Sequence, residues 1–171
     1  MAANVEIDET NGTAPGTLTD NITNSNYGVV DSVNLDPIAN PITPGVNSFQ
    51  KWQQWHLVAL GGSIQIENLK YFNGGGVAAD TAHQFNGNTV QGSYDGTKKT
   101  VYETPDQTSG DAPNTVPGSA PGSANIGIAG SLTAALTAAG RSDFVVSIIT
   151  TTVSAVAGAT LTITFRYDEI A

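Results

Sequence analysis

Glycine and proline break this chain so often that a long helix has nowhere to form. There are 19 Gly and 8 Pro in 171 residues, concentrated in Gly74-Gly75-Gly76, Asn86-Gly87, Asp95-Gly96 and prolines 105, 113, 117 and 121. Glycine supplies the positive φ of tight turns, while proline fixes φ and removes an N–H donor, so both punctuate regular structure. Between the breaks the sequence is short, β-branched and alternating. Leu161, Ile163, Phe165 and Tyr167 occupy one side of the last such run, and Thr162, Thr164, Arg166 and Asp168 the other, the pattern of a half-buried strand.

Other segments extend this reading. Phe49 to Leu60 is the richest stretch, and strict alternation sends Trp55 and Leu57 to one face and Trp52 and Val58 to the other. Gly61-Gly62 then leads into Ile64, Ile66, Leu69 and Tyr71, which reads as a hairpin. A second hairpin is expected about Asp95-Gly96, and a third joins Phe144–Val153 to the last strand through Val156-Ala157-Gly158. Asn125 to Ile128 suggests a short strand, and residues 104 to 122 a surface connection. Ser131 to Gly140 is the one helical-looking window, with Leu132, Ala135, Leu136 and Ala139 at helical spacing; a structured loop fits it nearly as well. The expected fold is all-β, with about seven to nine strands in an antiparallel β-sandwich of jelly-roll type and at most one short helix.

Residues 1–46 differ from the rest. Pro37, Pro41 and Pro44 favour extended backbone, and apolar side chains are few: Val5 and Ile7 in one short alternating run, Val29, Val30 and Val33 in another. The segment is expected to be an extended N-terminal arm, lying on its own domain or on a neighbouring subunit, with the sandwich spanning 47–171.

A formal net charge of −9 argues against nucleic acid and against an anionic membrane surface, both of which call for clustered Lys and Arg. No run approaches the ~18 consecutive apolar residues of a membrane-spanning helix, and the first residues lack the basic flank and apolar run of a signal peptide. The absence of cysteine removes disulfides, thiolate metal sites and thiol catalysis.

Residues able to carry chemistry are few. His56 lies in an apolar strand without a histidine or carboxylate two or four positions on, which favours a hydrogen-bonded structural role; His83, in a glycine-rich region, is expected at the surface. Glu67, Glu103, Asp143, Asp168 and Glu169 read as a solvated rim rather than a glycosidase pair. Glu6, Asp8 and Glu9 offer carboxylates to a hard cation such as Ca²⁺, but no calcium-loop spacing surrounds them. The sequons at Asn11 and Asn21 are what chance produces in an Asn- and Thr-rich chain. Trp52 and Trp55 would stack on sugars only if exposed together, and alternation places them on opposite faces, which favours core or interface. No catalytic, cofactor-binding or metal-binding residue is assigned.

Asn47-Ser48-Phe49-Gln50-Lys51-Trp52, Ile66-Glu67-Asn68-Leu69-Lys70-Tyr71-Phe72, Thr100-Val101-Tyr102-Glu103-Thr104-Pro105 and Thr164-Phe165-Arg166-Tyr167-Asp168-Glu169 form a distinctive set. So do Pro117 to Asn125, and Leu136 to Gly140 ahead of Asp143-Phe144. Over roughly residues 47 to 169, these segments resemble structural proteins of tailed bacteriophage virions, in which they are scaffold motifs. The resemblance implies a non-enzymatic homo-oligomer on the virion, decorating the capsid through contacts with the major capsid protein or other virion proteins. A place in the neck, collar or tail is the alternative within that class, and a glycan-binding adhesion module or a hydrolase the alternative outside it.

Overall fold

The structure is a computed structural model that describes residues 2–90, 92–156 and 160–171. Nine strands are present among them: β1 (Asn4–Asn11), β2 (Thr17–Thr19), β3 (Lys51–Ala59), β4 (Gln65–Asn73), β5 (Thr81–Phe85), β6 (Asn114–Thr115), β7 (Gly140–Arg141), β8 (Val145–Thr151) and β9 (Ile163–Ile170). A seven-stranded sheet runs β2-β1-β3-β8-β5-β6, with β7 also on β3, and β4 pairs with β9 in a two-stranded sheet. Every pairing is antiparallel. The fold is all-β and sandwich-like, and no helix occurs among the described residues.

The two sheets meet on aromatic rings. Trp55 of β3 packs edge-on against Phe165 of β9, and Tyr71 of β4 contacts both Phe165 and Phe85 of β5. Leu57, Ile66, Leu69, Ile126 and Val145 complete this core. Burying each such side chain contributes about 1.5–3 kcal/mol. A smaller core lies on the outer face of the large sheet, where Trp52, Val146 and Ile148 pack under Ala112, Tyr102 and Phe144. The alternation expected of β3 thus holds, and both tryptophans are fully buried on opposite faces.

Several connections depart from expectation. β3 and β4 do not form a hairpin: the turn at Gly61-Gly62 carries the chain from one sheet to the other. Likewise β8 and β9 lie in different sheets; Ala157 and Gly158 of the expected turn fall outside the described residues. Asp95-Gly96 makes a local bend in which Asp95 Oδ1 accepts from Thr97 N and Oγ1, and Lys99 bridges to Phe144 instead of to residues 93–94. Residues 125–128 form no strand, and neither do Val29, Val30 and Val33. The Ser131–Gly140 window is a loop because Leu136 exchanges backbone hydrogen bonds with Ile66 and joins the core, an interaction a helix would forfeit. Within 104–122, Asn114 and Thr115 pair with β5, so this connection contributes a short strand.

The first 46 residues lie on their own domain, one of the two placements expected of them, but as part of its sheet and core rather than as an added arm. β1 lies inside the large sheet between β2 and β3, with Val5 and Ile7 packed on the main core. The chain from 21 to 46 then crosses the inner face of the same sheet, burying Leu35 and seating Tyr27 against β4, β5 and β8. That face therefore has two covers. The β4–β9 ribbon lies over its apolar part, and the 21–46 segment over a polar band formed by Glu9, Lys51, Gln53, Ser147 and His83. A segment too poor in apolar residues to fold alone becomes ordered by hydrogen bonding to a polar floor.

Candidate functional site

On the outer face, the β1–β3 register sets Glu6 opposite His56. Asp8, two residues along, shares that face. His56 Nδ1 lies 3.0 Å from Glu6 Oε1 and 3.0 Å from Asp8 Oδ2. Arg141 of β7 enters from the side, donating from Nε to Asp8 Oδ2 at 2.6 Å and from Nη2 to Asp20 Oδ1 at 2.8 Å. One ligand atom each from Glu6, Asp8, Asp20 and His56 lies within 4.8 Å of the other three. The guanidinium already supplies a cation to this group. Burial works against its charge, but the hydrogen bonds and charges of Asp8 and Asp20 outweigh that and raise the Arg141 pKa. The carboxylates that His56 lacks along its own strand come from across the ladder. Glu9 does not join them: alternation turns it to the inner face, so Glu6, Asp8 and Glu9 do not gather at one site.

His83 is the clearest correction. It is 1% exposed, in the middle of β5, rather than at the surface. Its Nε2 lies 2.9 Å from Tyr27 Oη and 3.1 Å from Tyr71 Oη, and Tyr27 Oη lies 2.6 Å from Ser147 Oγ. Desolvation lowers the His83 pKa to about 4 and raises that of Tyr71 to about 12. The imidazole is thus neutral at physiological pH. Ser147 has no exposed surface. A serine, a histidine and two tyrosines converge here; His83, Tyr71 and Ser147 are sealed in the core, and the half-buried Tyr27 ties the 21–46 segment through them to both sheets.

The remaining carboxylates are dispersed. Asp143 is buried and accepts from Tyr94 Oη at 3.1 Å and Gly130 N at 2.8 Å. Glu103 pairs with Lys99, and Glu169 accepts from Ser63 Oγ and Ala3 N. Glu67 and Asp168 face each other across the β4–β9 ladder, and each accepts from a neighbouring amide side chain, Gln65 and Asn68 respectively. None of these five lines a groove described below.

Grooves open at the surface among the described residues. One, of about 590 Å³, runs past Asn88, Pro113, Asn114, Pro117 and Asn125. Another, of about 700 Å³, opens where the 21–46 segment meets β8 and β9, between Tyr27, Ile149 and Phe165 and an outer wall of Pro37, Ile38, Pro41 and Val156. Ile38 is 89% exposed and Val156 70%. Sequence reading missed this patch because its two sides lie more than 100 residues apart in the chain.

Comparison with protein-family models, with curated proteins and with solved structures returns no match.

Proposed function

We propose that this protein is a non-enzymatic structural component of a tailed-phage virion, decorating the capsid through contacts with the major capsid protein. The observation that carries the reading is where the reactive side chains go. Both tryptophans, His83 and Ser147 are enclosed in cores, while Arg141 holds Asp8, Asp20 and His56. What remains outside is an acidic surface and an apolar groove rimmed by Ile38 and Val156. Exposed branched side chains around a groove suit a contact made by burial of apolar surface. Repetition over a symmetric shell multiplies a contact that is weak in one copy. Full burial of both indoles removes the stacking platform a glycan-binding module would use. The phage-like segments at 47 to 169 support the same class, with neck, collar or tail as the alternative station.

Mass-spectrometric inventory of purified particles tests this reading. The chain is expected in the particle fraction at fixed stoichiometry to the major capsid protein. Stoichiometry tied to a portal or tail protein would move it to the alternative station, and recovery only as a free monomer would count against the virion class.

A further inference from the structure

At the end of the β1–β3 ladder, a lysine, an asparagine and a carboxylate meet on the inner face of the large sheet. The register pairs Glu9 with Gln53 and Thr10 with Trp52. Continued by one residue, it sets Asn11 opposite Lys51, and facing residues of an antiparallel pair have Cβ atoms about 4.5–5.5 Å apart. Glu9 shares their face. Lys51 is 2% exposed and Glu9 0%. Lys51 Nζ donates to Glu9 Oε1 at 2.8 Å, and Asn11 Nδ2 donates to the same oxygen at 3.0 Å. Amine and carboxamide nitrogen are therefore neighbours on a single carboxylate oxygen.

Three further contacts fix the arrangement. Lys51 Nζ also donates to Ser32 O at 2.7 Å, and Asn11 Nδ2 to Asp31 Oδ1 at 2.7 Å. Gln53 Nε2 donates to Glu9 Oε2 at 2.8 Å, which holds the carboxylate in place. The Asn11 carbonyl oxygen, by contrast, is buried with no hydrogen-bond partner among the described residues. Buried polar atoms are almost always paired, so an orphan beside an amine and a proton carrier calls for a reason.

We propose that Lys51 and Asn11 become joined by an isopeptide bond that the folded protein forms on itself, with Glu9 carrying the protons. The Lys51 ammonium passes a proton to Glu9 Oε1, and the freed amine attacks Asn11 Cγ. The Cγ–Nδ2 bond breaks as the Nζ–Cγ bond forms. Lys51 gives up two protons in all, both of which reach the departing nitrogen, so ammonium leaves and Glu9 ends as it began. The step needs no oxidant, reductant or co-reactant, and fixed proximity replaces a bimolecular encounter. The result would be a covalent staple between β1 and β3 in a chain that has no cysteine. It does not depend on the virion reading.

The intact mass of the purified full-length chain tests this directly. The expected mass is about 17 Da below that of the sequence, the loss of one ammonia, and a digest should contain one branched peptide joining the segment of Asn11 to that of Lys51. Lys51→Arg and Asn11→Ser should both run at full mass, and the second keeps the ion pair should the first fail to fold. Asn11 precedes Gly12, so a cyclic imide there would shed the same mass; it would give no branched peptide and would persist in Lys51→Arg. That outcome, or a wild-type chain at full mass with the two residues in separate peptides, overturns the proposal.

Discussion

His83 shows how one residue is set by chain far from it. Its neighbours Ala82 and Gln84 and the glycines at 74–76 give it the local signature of a surface position. Its burial comes from Tyr27 and Tyr71, which reach it from two other parts of the chain, with Ser147 bonded to Tyr27 beside them, and no local pattern encodes that. The consequence is a pH dependence. The imidazole titrates near 6.5 when unfolded and near 4 when folded. Between those values the unfolded chain holds a proton that the folded chain refuses. Stability therefore falls as pH drops from 6.5 to 4 and levels off below, a loss of about 3 kcal/mol from this group. Urea unfolding midpoints measured from pH 7 to pH 4 should decline less steeply in His83→Gln than in the parent. Parallel declines would show that His83 does not contribute.

At the scale of elements, strands were legible and their partners were not. β1, β3, β4, β8 and β9 stand where alternation places them, and Ile163, Phe165 and Tyr167 of β9 pack on the core as their spacing requires. Alternation fixes which face is buried, but it reads the same in a strand that turns back on its neighbour and in one that crosses to the other sheet. The Gly61-Gly62 turn serves a crossing for that reason. Asn125 illustrates a second limit. Its segment is no strand, yet its side chain copies one: Oδ1 accepts from Tyr71 N at 2.8 Å, and Nδ2 donates to Tyr71 O at 2.7 Å. Gly87 lies close against this segment at φ +117°, and a Cβ there would collide with Asn125 O. Asn125→Ala would leave two buried backbone groups of β4 unpaired and should cost about 2–4 kcal/mol, measurable by chemical denaturation. A cost under about 0.5 kcal/mol would mean that β4 is not held by this side chain.

For the molecule as a whole, the first 46 residues decide whether there is a folded body. They supply an interior strand and the lid over the polar half of the inner face. Removing them would leave Lys51, Gln53, His83 and Ser147 without Glu9, Tyr27 or the cover that excludes water. A chain of residues 47–171 should therefore lack a cooperative thermal transition, although the turn-rich, low-apolar composition of 1–46 suggests a dispensable tail. Circular dichroism and a melting curve of that fragment would check this; a sharp transition like the parent's would restore the arm picture. On the proposed virion reading, ordering 1–46 within the domain leaves the apolar groove to make the capsid contact. Cosedimentation with capsids lacking the protein measures this most directly. The parent chain should pellet with the shells to saturation, and Ile38→Asp with Val156→Asp should stay in the supernatant while melting at the parent's temperature. A parent chain that never pellets, or a double variant that pellets equally well, would contradict attachment through this groove.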